Sequence, residues 1–123
     1  MQSTLASKIS FEGVGLHSGI ESKVTLIPMG PNYGIWFKRT DTFGVNNMIR
    51  AIYLNVEDKP LCTRLINKEG VSVSTVEHIM AALTGCGIQN ILIEVSSDEI
   101  PILDGCAETF VETILQVGII KQA

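Results

Sequence analysis

The chain has 123 residues, 46% of them hydrophobic and 18% charged, with 9 Lys and Arg against 13 Asp and Glu for a net charge of −4. A domain of this size buries roughly two-thirds of the surface its unfolded chain exposes, which excludes disorder, and the acidic balance offers no basic stripe for a nucleic-acid backbone. Cys62, Cys86 and Cys106 match neither a disulfide framework nor paired zinc-finger elements; with no export-signal core and no apolar run approaching the ~18 residues of a membrane span, they point to a cytoplasmic chain without a transmembrane segment.

From Leu5 to Phe11, apolar Leu5, Ile9 and Phe11 alternate with polar Lys8, Ser10 and Glu12. That period predicts a half-buried strand, broken at Gly13 and Gly15. "LHSG" from Leu16 to Gly19 reads as a turn, and Val24 and Leu26 mark a second strand ended by Pro28. "MGPNYG" is turn chemistry that predicts a hairpin into Ile35, Trp36 and Phe37. Ile49 to Val56 alternates as a further strand, and "NKEG" joins Leu61–Ile66 to Val71 and Val73 as a hairpin.

The period then changes. Val76, Ile79, Met80 and Leu83 recur at helical spacing, and Gly85 and Gly87 end the run. Ile91, Ile93 and Val95 give another strand, "SSDE" a turn, and Ala107, Phe110, Val111 and Ile114 the apolar stripe of a second helix stopped by Gly118. The tail "IIKQA" reads as a frayed end or the start of something longer. Strands followed by two one-sided helices predict a two-layer α+β sandwich, a mostly antiparallel sheet with both helices on one face.

Chemistry concentrates in "STVEHIMAALTG". At about 100° per residue from Val76, Glu77 falls near 100° and His78 near 200°, flanking the face opposite the core stripe, with Ala81 and Ala82 as small neighbours. A carboxylate beside an imidazole suits zinc chemistry, with neutral His as ligand and Glu as the base that takes a proton from the attacking water. The same residues also read as a capping box, Ser74 accepting from the Glu77 N–H and Glu77 reaching back to Ser74, with His78 a solvated helix residue. HExxH is absent, and His17 and His78 are the only imidazoles. His17, in a Gly-flanked turn, reads either as a surface residue or as a binding residue at a sheet end. Cys62 could serve a metal, but each of the three cysteines also reads as a small core hydrophobe, and Asp104 reads as the N-cap of the second helix. Nucleophile elbows and phosphate-cradling Gly-rich loops are missing.

Taken in order, "GVGLHSG" (13–19), "STVEHIMAAL" (74–83), "GIQNILIEV" (87–95) and "EIPILDGCA" (99–107) resemble one family, the UDP-3-O-acyl-N-acetylglucosamine deacetylases of lipid A biosynthesis in Gram-negative bacteria, over about residues 3–118. The resemblance implies that residues 1–123 form the N-terminal domain of a two-domain zinc enzyme whose active site lies between two domains of similar fold. It implies Glu77 as general base, His78 as a Zn2+ ligand, and Leu61 and Cys62 in a loop bordering the site. His17 lies in a family motif with no role fixed. The substrate implied is a UDP-linked acylated glucosamine, from which acetate is released. Cys106 stands where the family has Ser. The second domain's "HKxxDxxGD" ligands and later His are not in these residues, so the chain alone is expected to be inactive. Two other readings stay open: a non-catalytic interaction or dimerisation module using the Ala81/Ala82 face, and a dimer pairing two copies of His78 around one metal.

Overall fold

The computed structural model describes residues 2–58, 62–102 and 108–122. Strands β1 (Gln2–Leu5), β2 (Ile9–Gly15), β3 (Glu21–Pro28), β4 (Ile35–Arg39) and β5 (Met48–Arg50) come first. A 3-10 turn at Tyr53–Asn55 leads into β6 (Val56–Asp58), β7 (Thr63–Ile66) and β8 (Ser72–Ser74). Helix α1 (Glu77–Gly85), β9 (Ile91–Val95), β10 (Pro101–Ile102), α2 (Glu108–Val117) and β11 (Ile119–Gln122) complete the order.

The main sheet runs β10-β2-β3-β9-β4-β5, with β4 and β9 parallel and every other pair antiparallel. Period-two alternation decides which side chains face inward: Val24 and Leu26 of β3, Phe37 of β4 and Ile91, Ile93 and Val95 of β9 are all buried. Ile79, Ala82 and Leu83 of α1 join Phe110 and Ile114 of α2 in the same core. Phe11 meets Phe110 edge-on, ring centroids 4.9 Å apart, a favoured aromatic geometry. The α+β sandwich expected from the pattern is therefore present.

Several local expectations are corrected. The strand foreseen from Leu5 to Phe11 is two, because the chain bends at Ala6 and Ser7, and β2 continues through Gly13 to Gly15. β3 and β4 do not form a hairpin; β9 lies between them, with Leu26 opposite Ile93 and Phe37 beside the same residue. That placement gives the most apolar strand two hydrogen-bonded neighbours and the centre of the sheet. Ile49 to Val56 is interrupted by the 3-10 turn, whereas the "NKEG" hairpin forms as expected, pairing β7 with β8 beside β6.

The described part of the tail, Ile119–Gln122, is not frayed. β11 pairs antiparallel with β1, Leu5 opposite Ile119 and Gln2 opposite Gln122. Gly118 makes this return possible: at φ +99° it ends α2 in a conformation costly to other residues, and its carbonyl accepts the Ala6 N–H at 2.9 Å. Buried Asn90 clasps both strands, donating from Nδ2 to Gln2 Oε1 and Gln122 Oε1, each at 2.7 Å.

Candidate active site around the start of the first helix

Three residues before α1, at Ser74, the backbone is still strand-like. The Ser74 N–H donates to the Asp98 carbonyl at 2.8 Å, and the Ser74 carbonyl accepts from Ile100 at 3.0 Å. Thr75 then adopts φ +61°, which a helix cannot propagate, so α1 begins at Glu77 with Val76 as its cap residue and no side-chain capping bond. The capping box is thereby excluded: Ser74 is held in a strand bridge to Glu99, and Glu77 points elsewhere. Its Oε1 accepts the Thr63 backbone N–H at 3.0 Å. The Thr63 carbonyl in turn accepts the Thr75 N–H at 2.9 Å. Glu77 borders a cleft lined by Ile52, Val56, Leu65, Val76 and Met80.

Glu77 and His78 are both exposed on the first turn, as the helical arithmetic requires. Ala82, by contrast, is 1% exposed and belongs to the core. The small-residue surface beside the pair is therefore Ala81, Thr84 and Gly85, not Ala81 with Ala82. Cys62 is half-buried and adjoins Thr63; Cys86 is half-buried against the core, where burial pushes its thiol up. Both are free thiols. Leu61, Asp104 and Cys106 lie outside the described residues.

His17 sits in the turn after β2 and reaches the same region through Glu99. The Glu99 carboxylate, 2% exposed, takes the His17 ring Nδ1 at 2.7 Å, the Thr75 hydroxyl at 2.6 Å and the Ser18 N–H at 2.9 Å. The His17 N–H bridges both its oxygens at 3.1 and 3.2 Å. Burial pushes this carboxyl up, but the bonds from Thr75, Ser18 and His17 outweigh it and hold the group at about 2. Gly15 leaves the room: a Cβ there would stand 2.3 Å from Glu99 Oε1. The structure therefore brings His17 beside Thr75, three residues ahead of His78. Glu99, Thr75 and Thr63 were not singled out from sequence. The signal for Glu99 was a charge set directly before the apolar Ile100-Pro101-Ile102 run.

The residues present fit part of a zinc site. His78 is exposed with a carboxylate next to it, but among the described residues no group of three or more His, Cys, Asp or Glu is placed to hold a metal. Likewise no helix among them is long and apolar enough to cross a membrane.

Comparison with known proteins gives this arrangement a context. The family model LpxC, described as UDP-3-O-acyl N-acetylglycosamine deacetylase, matches residues 2–123, and the chain belongs to that family. It is similar to the UDP-3-O-acyl-N-acetylglucosamine deacetylases of Haemophilus influenzae (49% identical over 121 residues), Histophilus somni (49% over 127) and Vibrio campbellii (49% over 123). In each case the match covers 98% of this chain and 39% of the relative, so the chain spans about two-fifths of the length of these curated relatives.

Proposed function

We propose that residues 1–123 form the N-terminal domain of a cytoplasmic zinc-dependent amidohydrolase that removes acetate from a UDP-linked 3-O-acyl-N-acetylglucosamine in lipid A biosynthesis. In this reading Glu77 is the general base, His78 is one zinc ligand, and Leu61, Cys62 and His17 border the substrate. The supporting observation is the Glu77 carboxylate: one oxygen is fixed by the Thr63 N–H, while Oε2 has no protein partner among the described residues and is free to accept a proton. Membership of the deacetylase family supplies the reaction class.

Zinc, when bound, supplies an electrophile that polarises the acetamide carbonyl and acidifies water. His78 would hold it in the neutral imidazole form, and its remaining ligands would come from a C-terminal domain of the same protein. Glu77 takes the proton of the water that attacks the acetamide carbon and passes it to the departing nitrogen as the C–N bond breaks, giving acetic acid, which ionises to acetate, and the free 2-amine. Ala81, Thr84 and Gly85 present little bulk, which lets the second domain come close to the pair. A chain that supplies the base and one ligand is inactive by itself.

The test is turnover of the longer protein carrying Glu77→Gln. General-base loss costs about 10²–10⁴-fold with zinc content unchanged; full activity in that variant refutes the assignment.

A further inference from the structure

Glu99 receives four hydrogen-bonding groups from three residues that lie 24, 81 and 82 positions away along the chain. Its neighbours pin its backbone to Ser74 through the Asp98 and Ile100 bonds. The carboxylate is thus fixed against the strand that leads into α1, and it fixes the His17 turn in its own frame. Because the group is ionised it only accepts hydrogen bonds. The Thr75 hydroxyl, 2.6 Å from Glu99 Oε2 and 3.4 Å from His17 Nδ1, donates its hydrogen bond to the carboxylate, so it has no second hydrogen for His17. The hydrogen between Glu99 and His17 therefore belongs to His17 Nδ1. A neutral imidazole carries one N–H, so Nε2 holds a lone pair, on a side chain 35% exposed.

We propose that Glu99 is a positioning residue: with Thr75 it holds His17 in the Nδ1–H tautomer and offers Nε2 to an O–H or N–H donor of the substrate bound beside Glu77 and His78. This rests on the function proposed above for its second half, the encounter with substrate, whereas the tautomer follows from the bonds themselves. The Nδ1–H form is set by a partner, as a carboxylate commonly sets the other face of a functional imidazole. Thr75 belongs to the device because its left-handed backbone turns the hydroxyl onto Glu99 and then hands the chain to α1.

Long-range proton–nitrogen correlation spectra of the nitrogen-15-labelled chain, with the imidazoles neutral, read the tautomer without any substitution. The expected result is Nδ1–H for His17; a predominant Nε2–H form overturns the proposal, and this arm stands even if Glu99→Gln fails to fold. In Glu99→Gln the preference is expected to relax towards a mixture, while Thr75→Ser, which keeps the hydroxyl, retains it. In the longer protein, His17→Ala and Glu99→Gln are each expected to lower kcat/KM by about 10–100-fold. The double variant should be no worse than His17→Ala, since both act through one ring; additive losses would show that Glu99 does not act through His17. Should Glu77→Gln keep full turnover, the proposed function falls while the tautomer is judged on its own spectrum.

Discussion

Glu77 Oε1 and the backbone nitrogen of Thr63 lie 3.0 Å apart, joining the first helical residue to the first residue of β7 across 14 positions. This bond takes the place of the reciprocal cap that "STVE" spells. Among the described residues it leaves one carboxylate oxygen committed to the backbone and the other without a partner, the arrangement that the proposed base needs if its direction is to be fixed without losing its acceptor.

From that division, charge and anchoring can be separated. Glu77→Gln keeps a carbonyl oxygen for the Thr63 N–H, so its melting temperature is expected to match the parent. Glu77→Ala loses the bond and should be destabilised by about 1 kcal/mol. Thermal melts of the two variants measure this, and equal losses in both would show that the tether is immaterial.

Acid should release the Glu99 cluster. The carboxyl sits at about 2 in the folded chain against an ordinary 4.5. A lowered folded value means that its stabilisation is complete above the ordinary pKa and is lost as pH falls from about 4.5 towards 2. We expect roughly 3 kcal/mol of stability to disappear over that window, and Glu99→Gln to abolish this part of the pH dependence. Urea unfolding at about pH 6 and about pH 3 checks it.

Thr75 offers a comparison of strain with bonding. At φ +61° a β-branched residue costs about 1–2 kcal/mol relative to an unstrained one. Thr75→Ala and Thr75→Gly both lose the hydroxyl bond to Glu99, but only Gly relieves the backbone. The Gly variant is therefore expected to be the more stable of the two by about 1 kcal/mol, read from denaturant midpoints.

Asn90 closes the terminal strands. Besides the two glutamines, its Oδ1 accepts the Gly34 N–H at 2.9 Å, and the side chain is buried. Asn90→Ala should cost about 2–4 kcal/mol, because it leaves the half-buried Gly34 N–H without its acceptor and removes the side chain that ties β1 to β11. Hydrogen exchange is expected to rise first in β11; protection unchanged there would contradict this role.

Which features were legible from sequence follows from how far apart the partners lie. The alternation of Val24 and Leu26 and the helical recurrence of Val76, Ile79 and Leu83 are local periods, and both survive in the structure. Glu77 and His78 could be placed on the exposed side of α1 for the same reason. The insertion of β9 between β3 and β4 could not be read, since it pairs residues more than fifty positions apart that have no special turn between them. Nor could the return of "IIKQ" to β1, which depends on Gly118 and on the Asn90 bonds. "STVE" misled because a capping signal is judged on four residues, whereas Ser74 is claimed by Asp98 and Ile100. Glu99 stayed hidden for the same cause: its partners come from the His17 turn and from Thr75, and only the fold brings them together.

The central claim, that this chain contributes a base and one metal ligand to a site completed elsewhere, is tested most directly by zinc stoichiometry. Equilibrium dialysis should find one tightly held zinc in the longer protein, retained in Glu77→Gln and lost or greatly weakened in His78→Ala, and no tight zinc on residues 1–123 alone. Tight one-to-one binding by the 123-residue chain, or undiminished binding in His78→Ala, would contradict it.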